Sequence, residues 1–375
     1  MIKITASQQQ ITGVSFYRLY QPLITLSHKM EDYKVIMFNP EYMEDALSEE
    51  FDIYFSCSAA FELQLETIKL LKKYNRKCII DYDDSENVHP SNPMYVLYGT
   101  EECKVELSDG QTILWENNKT EIEVFGQVYK FDIERNKKNR LIQEEIKREA
   151  SALVTTTNDL RNELLKYNKN VYIAPNMIDF TLYKPKENDN KNEVRVGWML
   201  SSSHLDDLVS IKPELIKCLK DNPTMKLVIM CFGLSNEFND FPQDRIEIVP
   251  GVNINKGYHN IFNELKLDIG LCHLEDTEFN HMKSPIKWAE YSAMEIPTIA
   301  TNIVYGRHLT DRHNVYLYSN PKEFRHNIKY LIDRPELRKK VGKQAKLDAI
   351  DMYGFDTVMP IYEKIFKEVC ESNDK

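Results

Sequence analysis

Lys283, Lys287 and Glu290 lie close together around a Ser284–Pro285 step, in the run EFNHMKSPIKWAEYSAMEIPTIATN, residues 278 to 302. Serine followed by proline suits the N-cap and first position of a helix, so the run predicts a helix opening at Pro285. Ile286, Ala289 and Ala293 then share a face to be packed, while Lys287 and Glu290, three apart, lie on the opposite side to be presented. A lysine in a first turn opposes the helix dipole, at roughly 0.3–1 kcal/mol, unless an anion sits beside it. With Lys283 just ahead of the cap and the free N–H groups of the first turn, the segment suits a diphosphate. Glu290, one turn on, is placed to accept hydrogen bonds from ribose hydroxyls. The plain alternative is a solvated helix face carrying a Lys–Glu pair.

A second group of candidates is acidic. Asp81, Asp83 and Asp84 end the apolar run KCIIDYDD. Like charges so close are costly unless solvated or paired, so they read either as a base or acceptor-hydroxyl binder, or as a capped, solvated strand end. Three acids invite a metal, but no further ligands accompany them. Arg18 follows Tyr17 in the helix after Gly13; it either reaches the acceptor or diphosphate, or packs and pairs internally. The seven cysteines are scattered, form no C-x-x-C pair and mostly sit in apolar runs, which predicts small buried hydrophobes and neither a zinc site nor a disulfide framework.

Such groups need elements to hold them. At 375 residues the chain is long enough for two cores. Apolar strand-like runs alternate with helical patterns of 10–15 residues, the signature of parallel β-α-β units. Residues 1–183 read as one doubly wound domain, with a β-hairpin or small antiparallel excursion over about 98–135 around the SDG and ENNK turns. KPKENDNKNE, 184–193, reads as the linker, and 194–353 as a second doubly wound domain. Residues 354–375 read as an amphipathic helix crossing back to the first. Open α/β sheets bind ligands beyond the carboxyl ends of their strands, which places function in the cleft between the domains.

Composition narrows the class. A hydrophobic share of 42% and no apolar run near the ~20 residues of a bilayer crossing exclude an integral membrane protein. The start, MIKITASQQQITG, has no apolar signal core, from which a cytoplasmic location is expected. A net charge of −10 argues against coating nucleic acid or anionic membrane with the whole surface, while leaving room for a local basic groove. Abundant Asn, Lys, Ile and Tyr with only 12 glycines is the bias of an AT-rich genome, bacterial or phage.

The run FNHMKSPIKWAEYSAMEIPTIAT resembles the donor-binding segment of GT-B glycosyltransferases of family 4, glycosyltransferase group 1. VYIAPNMIDFTLYKP resembles that family's interdomain P-N-G-[IV]-D signature, with Met177 for glycine. VRVGWMLSSSHLDDL is similar to the first strand and loop of its donor domain, TGVSFYRLYQPL to its N-terminal loop, and CIIDYDDS to an acidic strand end of one branch. The resemblance implies retaining transfer from a nucleotide-sugar, a UDP-sugar foremost, to an acceptor hydroxyl, with positive side chains and a helix end in place of a metal. Glu290 would hold the ribose, Lys283, Ser284 and Lys287 would lie near the diphosphate or donor sugar, and Gly13 would admit close approach to phosphates.

His204 would face the phosphates with the Ser202 and Ser203 N–H groups; alternatively these serines cap the next helix and Asp206 and Asp207 stabilise its dipole. For the family's basic pair the candidates are Arg195, Arg245 and, best placed, Lys256. Two departures stand out. The family's E-x7-E pattern puts an acid at the position of Met282, which Glu278, four residues upstream, could replace only with a differently shaped loop, and Glu295 stands where glycine is common. The acceptor reads as a carbohydrate or cell-surface hydroxyl, or as a hydroxymethylated base of phage DNA served by the excursion and the basic segment NKKNR, 136–140. A non-catalytic GT-B binding protein is the rival that Met282 motivates.

Overall fold

The computed structural model describes all residues except 8–10, 39–49, 58–61, 125, 191, 233–234 and 373–375. Small parts of the expected elements, such as Asn39 at a strand end and Lys191 in the linker, lie outside the described residues.

Two six-stranded parallel sheets carry the fold. The first contains β1 (Ile2–Ser7), β2 (Tyr33–Phe38), β3 (Ile53–Cys57), β4 (Lys77–Tyr82), β9 (Ala152–Thr155) and β10 (Val171–Ile173), in the order β10-β9-β4-β3-β1-β2. Between β4 and β9, two antiparallel hairpins intervene: β5 (Cys103–Glu106) with β6 (Thr112–Trp115), and β7 (Glu121–Val124) with β8 (Gln127–Lys130). The excursion is thus a pair of hairpins rather than one, closed over Val96, Trp115, Val124 and Phe131.

The second sheet contains β11 (Val194–Leu200), β12 (Met225–Cys231), β13 (Ile246–Pro250), β14 (Ile269–Cys272), β15 (Thr298–Thr301) and β16 (Tyr316–Tyr318), in the order β13-β12-β11-β14-β15-β16. Strands such as β9, β14 and β15 are buried along their whole length, because helices cover both faces of a parallel sheet. This explains why their sequences are continuous apolar runs instead of alternating ones. The two sheets are the α/β GT-B architecture.

Two segments run side by side where the chain passes between the sheets. Ile178 N–H donates to the Tyr353 carbonyl at 2.9 Å, and Met177 N–H to the Tyr17 carbonyl at 3.2 Å. Beyond Gly354 the helix Phe355–Glu371 buries Val358, Met359, Tyr362, Phe366 and Val369 against Ile4, Ala6 and Phe55 under the first sheet. The polar stretch 184–193 is tied along the second sheet: Lys184 N–H donates to Asn263 and Asn188 Nδ2 to Asp268. Among the described residues no helix is long and apolar enough to cross a membrane.

Glu295 accounts for one departure noted in the sequence. It follows the helix Ile286–Ala293 with φ +58°, the left-handed conformation that commonly ends helices and favours glycine. Its N–H bonds the Ser292 carbonyl and its side chain accepts from Lys346 at 3.0 Å, contacts that hold the strained residue in place.

Candidate active site

In the second sheet β11 and β14 are neighbours although three strands apart in sequence, so the chain leaves their carboxyl ends in opposite directions and opens a crevice there. The loop after β11 carries Ser201–His204 and the helix Leu205–Asp221; the loop after β14 carries His273–Asp276. Asp207 joins the two. Its Oδ2 pairs with His204 Nδ1 at 2.7 Å, while Oδ1 accepts from the Glu275 N–H at 2.6 Å and Asn280 Nδ2 at 3.0 Å. Burial pushes this carboxyl up, but the bond and charge of His204 and the Lys283 ammonium more than offset it and hold it below its ordinary value. His204 is lowered by burial first and then by the Lys283 charge, with Lys287 acting in the same sense. Lys283 Nζ itself stands 4.7 Å over the Phe279 ring.

Asp206 and Asp207 therefore do more than stabilise a helix dipole. Asp206 reaches the first domain, accepting from Ser91 Oγ at 3.3 Å and Asn92 Nδ2 at 3.4 Å, and Asn92 also donates to the Ser203 carbonyl at 2.8 Å. Burial and the neighbouring Asp207 charge push its carboxyl up to about 7. Ser202 is buried and Ser203 half-buried beside it.

The expected helix after Ser284 is present over Ile286–Ala293, with two corrections. Its N-cap is Pro285, and no side chain caps it. Ser284 is engaged elsewhere: its hydroxyl accepts from Asn176 Nδ2 at 2.9 Å, in the segment that crosses between the sheets. The second correction is Glu290, read as presented but only 5% exposed. The helix packs on the second sheet with Tyr17 of the first domain against it, so everything from Trp288 to Ala293 is buried, and only its first turn, with Lys287, stays partly open.

Glu290 is held by tyrosines that spacing along the helix does not reveal. Tyr17 donates to Oε1 at 2.7 Å and, having spent its one proton, accepts from Tyr183 at 2.7 Å. The Tyr258 hydroxyl is buried beside the same carboxylate without a hydrogen bond of good geometry. Lys287 Nζ is 3.6 Å from Oε2. Tyr17 comes from the first domain and Tyr183 from the crossing segment, which makes Glu290 a junction of the two halves.

Arg18 and Asp81, read as catalytic, are drawn out of the cleft. Arg18 Nε and Nη2 bind the two Asp81 oxygens at 3.0 and 2.7 Å, Nη1 binds the Ala174 carbonyl at 2.5 Å, and both residues are buried to 2% exposure or less. The cause is local. A π-helical stretch, Phe16–Tyr20, turns Arg18 inward beneath the C-terminal helix, where Tyr362 donates to its carbonyl. Burial raises Asp81 against the opposing pull of Arg18; burial would lower Arg18, but Asp81 more than offsets it.

Asp83 stays half-buried at the mouth of β4, pushed well above the carboxylate range by burial and by the Asp84 and Asp81 charges, and Asp84 is exposed. Gly13 is exposed, with open space where a Cβ would project. Lys256 is exposed at the end of the turn Ile254–Lys256, just before Gly257 at φ +102° and the buried Tyr258. Arg195 and Arg245 serve the scaffold: Arg195 pairs with Glu193 and Glu247, and Arg245 binds the Met225 and Asn222 carbonyls.

The Met282 carbonyl accepts from Thr157 at 2.8 Å and its side chain packs on the first domain's core. Glu278 instead lines a cavity of about 310 Å³ with Asp159, Asn162, His281, Met282 and Arg307. Among the described residues no group of three or more His, Cys, Asp or Glu is placed to hold a metal ion, and all seven cysteines are free.

His273, not singled out by any motif, lies under the crevice. Its ring nitrogens meet Ser210 Oγ at 2.7 Å and Tyr318 Oη at 2.5 Å, and burial lowers it to about 4. The unfolded chain takes up this proton near pH 6.5 and the folded chain only near 4. The stability it contributes is thus complete above pH 6.5 and is lost as pH falls towards 4. The expected loss is on the order of 2–3 kcal/mol, absent from His273→Gln, as read from urea midpoints against pH.

The two parallel sheets, the crevice at β11 and β14 and the facing first domain define the fold class, GT-B. Residues 212–359 match a family described as glycosyl transferase-like. The fold is shared with Anabaena HepE, solved in complex with UDP-glucose (12% identity, 99% of this chain and 100% of that one, TM-score 0.62). It is shared likewise with sucrose-phosphate synthase from Thermosynechococcus elongatus (12% identity, 98% and 99%, TM-score 0.65). A glycosyltransferase from Rickettsia africae is similar at 13% identity, 99% of both chains and TM-score 0.61. No curated protein matches the chain.

Proposed function

We propose that the protein is a retaining glycosyltransferase that moves a hexosyl or pentosyl group from a nucleotide-sugar, a UDP-sugar foremost, to an acceptor hydroxyl without a bound metal. The observation that carries this reading is the placement of Lys283 just ahead of the helix Ile286–Ala293 and of Lys287 in its first turn, one turn from Glu290, with the charge of both acting on His204 at the end of β11. Two ammonium groups and the uncapped first turn of Ile286–Ala293 are suited to the charge that builds on a departing diphosphate. Glu290, with lone pairs to spare beside Tyr17, takes the ribose hydroxyls. Gly13, Ser202, Ser203 and Lys256 border the donor, while Asp83 and Asp84 border the acceptor. HepE, which shares the fold, was solved with UDP-glucose, in keeping with a UDP-sugar; the retaining course rests on the resemblance to family 4.

A carbohydrate hydroxyl is the favoured acceptor. The basic segment 136–140 lies in the helix Ile133–Glu149, where Lys137 pairs with Glu134, Lys138 with Glu62, and Asn136 is buried. With these two lysines paired, Arg140 is the cation of the segment left to offer a phosphate backbone, and it meets the Asn87 side chain. Retardation of duplex DNA by the protein at about 50 mM salt, lost at higher salt, would reverse this preference.

A panel of nucleotide-sugars, scored by thermal shift and by release of nucleoside diphosphate, tests the function. At least one is expected to raise the melting temperature and to be turned over; binding without turnover would leave the non-catalytic rival standing, and no binding would sink both. Because Glu290 is buried, alanine there would strand the Tyr17 hydroxyl, and glutamine is the cleaner probe. Glu290→Gln is expected to weaken donor binding roughly tenfold, about 1–2 kcal/mol, by removing charge from the hydrogen bonds to ribose. Unchanged affinity would refute the role given to Glu290.

A further inference from the structure

The His204–Asp207 pair holds more order than a phosphate site built on lysines requires. Asp207 is fixed on both oxygens, by two N–H donors on Oδ1 and by His204 on Oδ2. An ionised carboxylate only accepts, so Nδ1 of His204 carries the hydrogen and the tautomer is set. In the neutral ring Nε2 is then a bare acceptor, and among the described residues nothing is hydrogen-bonded to it. The side chain keeps 16% of its surface open at the crevice end of β11, within the field of Lys283 and Lys287. Two ammonium groups and burial keep a further proton off this nitrogen while the crevice holds no anion; an anion between them reverses that balance.

We propose that His204 is a proton-coupled ligand of the donor diphosphate: Nε2 takes up a proton from solvent as the nucleotide-sugar binds and donates it as a hydrogen bond to a phosphate oxygen, with Asp207 as the positioning residue. This rests on the donor-site reading above. One N–H bond forms, the proton comes from bulk water, and it returns there when the nucleoside diphosphate leaves; no proton passes to the sugar. The charged and titratable groups around the ring are Asp206 and Asp207 on its own helix, His273 and Glu275 after β14, and Lys283 and Lys287 beyond them. His273, lowered to about 4, stays neutral in the relevant range. Asp206, raised to about 7, is the rival site of proton uptake among these groups.

Calorimetric titration at pH 7.5 in buffers of different ionisation enthalpy reads proton uptake directly. The probe is the tightest binder among UDP-glucose, GDP-mannose and dTDP-glucose, whose phosphodiesters do not titrate near neutrality. Uptake of about half to one proton per ligand is expected, with affinity weakening up to tenfold per pH unit through the window. His204→Asn is expected to bind without uptake, Asp206→Asn to keep it, and Asp207→Asn to reduce it. Binding by the unaltered chain with no uptake overturns the proposal while leaving the donor site intact. Uptake kept in His204→Asn but lost in Asp206→Asn assigns the proton to Asp206 and also overturns it. Failure of all three to bind overturns the donor-site reading and the proposal together.

Discussion

Under the proposed function, Lys283→Ala is expected to lower the rate of sugar transfer by roughly 10²–10³-fold, the cost of removing one preorganised charge from a developing anion, about 3–4 kcal/mol. Its ammonium has no carboxylate within 4 Å among the described residues, standing instead over Phe279, yet its field reaches His204, Asp206 and Asp207. A lysine so placed contributes little to folding, and the melting temperature of the variant should change by no more than a few degrees. The loss should fall mainly on kcat, because the diphosphate gains charge as the glycosidic bond breaks. Steady-state kinetics with the best donor of the panel measures it. A rate within about threefold of the unaltered protein would remove Lys283 from the mechanism and leave Lys287 and the helix end to carry it.

Arg18→Met has its effect on folding, with an expected loss of about 3–5 kcal/mol, because Asp81 would be left buried and charged with no partner. The pair is bidentate, dry and further tied through Ala174 and Tyr362, so neither water nor a neighbouring cation can replace the guanidinium. Replacing both residues, Arg18→Met with Asp81→Leu, should recover most of the loss, since no charge then remains to desolvate. The urea midpoint of the transition that melts the first sheet reports both. A single variant within about 1 kcal/mol of the unaltered chain would contradict the structural role, and one that folds normally but loses turnover would return Arg18 to the active site.

The same two sites show where sequence reading stops. The strands and the β-α-β alternation were legible because burial on both faces of a parallel sheet imposes apolar runs, and those runs are a property of the chain itself. Lys287 and Glu290 were legible as neighbours because they share the helix Ile286–Ala293, whose periodicity places them one turn apart; Lys283 lies just ahead of it. Glu295 was legible as an anomaly, and its left-handed backbone is the physical reason glycine is usual there.

The partners of these residues were not legible. Tyr17 and Glu290 are 273 positions apart, Asn176 and Ser284 are 108 apart, and Ser91 and Asp206 are 115 apart. No local spacing encodes such pairs; they exist because the crossing segments press the two sheets together. By itself, then, the sequence determined the strands and helices, the GT-B order in which they wind and the cationic run at 283–287. Only the tertiary structure decided that Arg18 and Asp81 neutralise one another inside the first domain, that Glu290 is buried among tyrosines, and that Asp207 orients His204. The reason is the same each time: what a charged side chain does depends on how far it is desolvated and what faces it, and both are set by packing between elements distant along the chain.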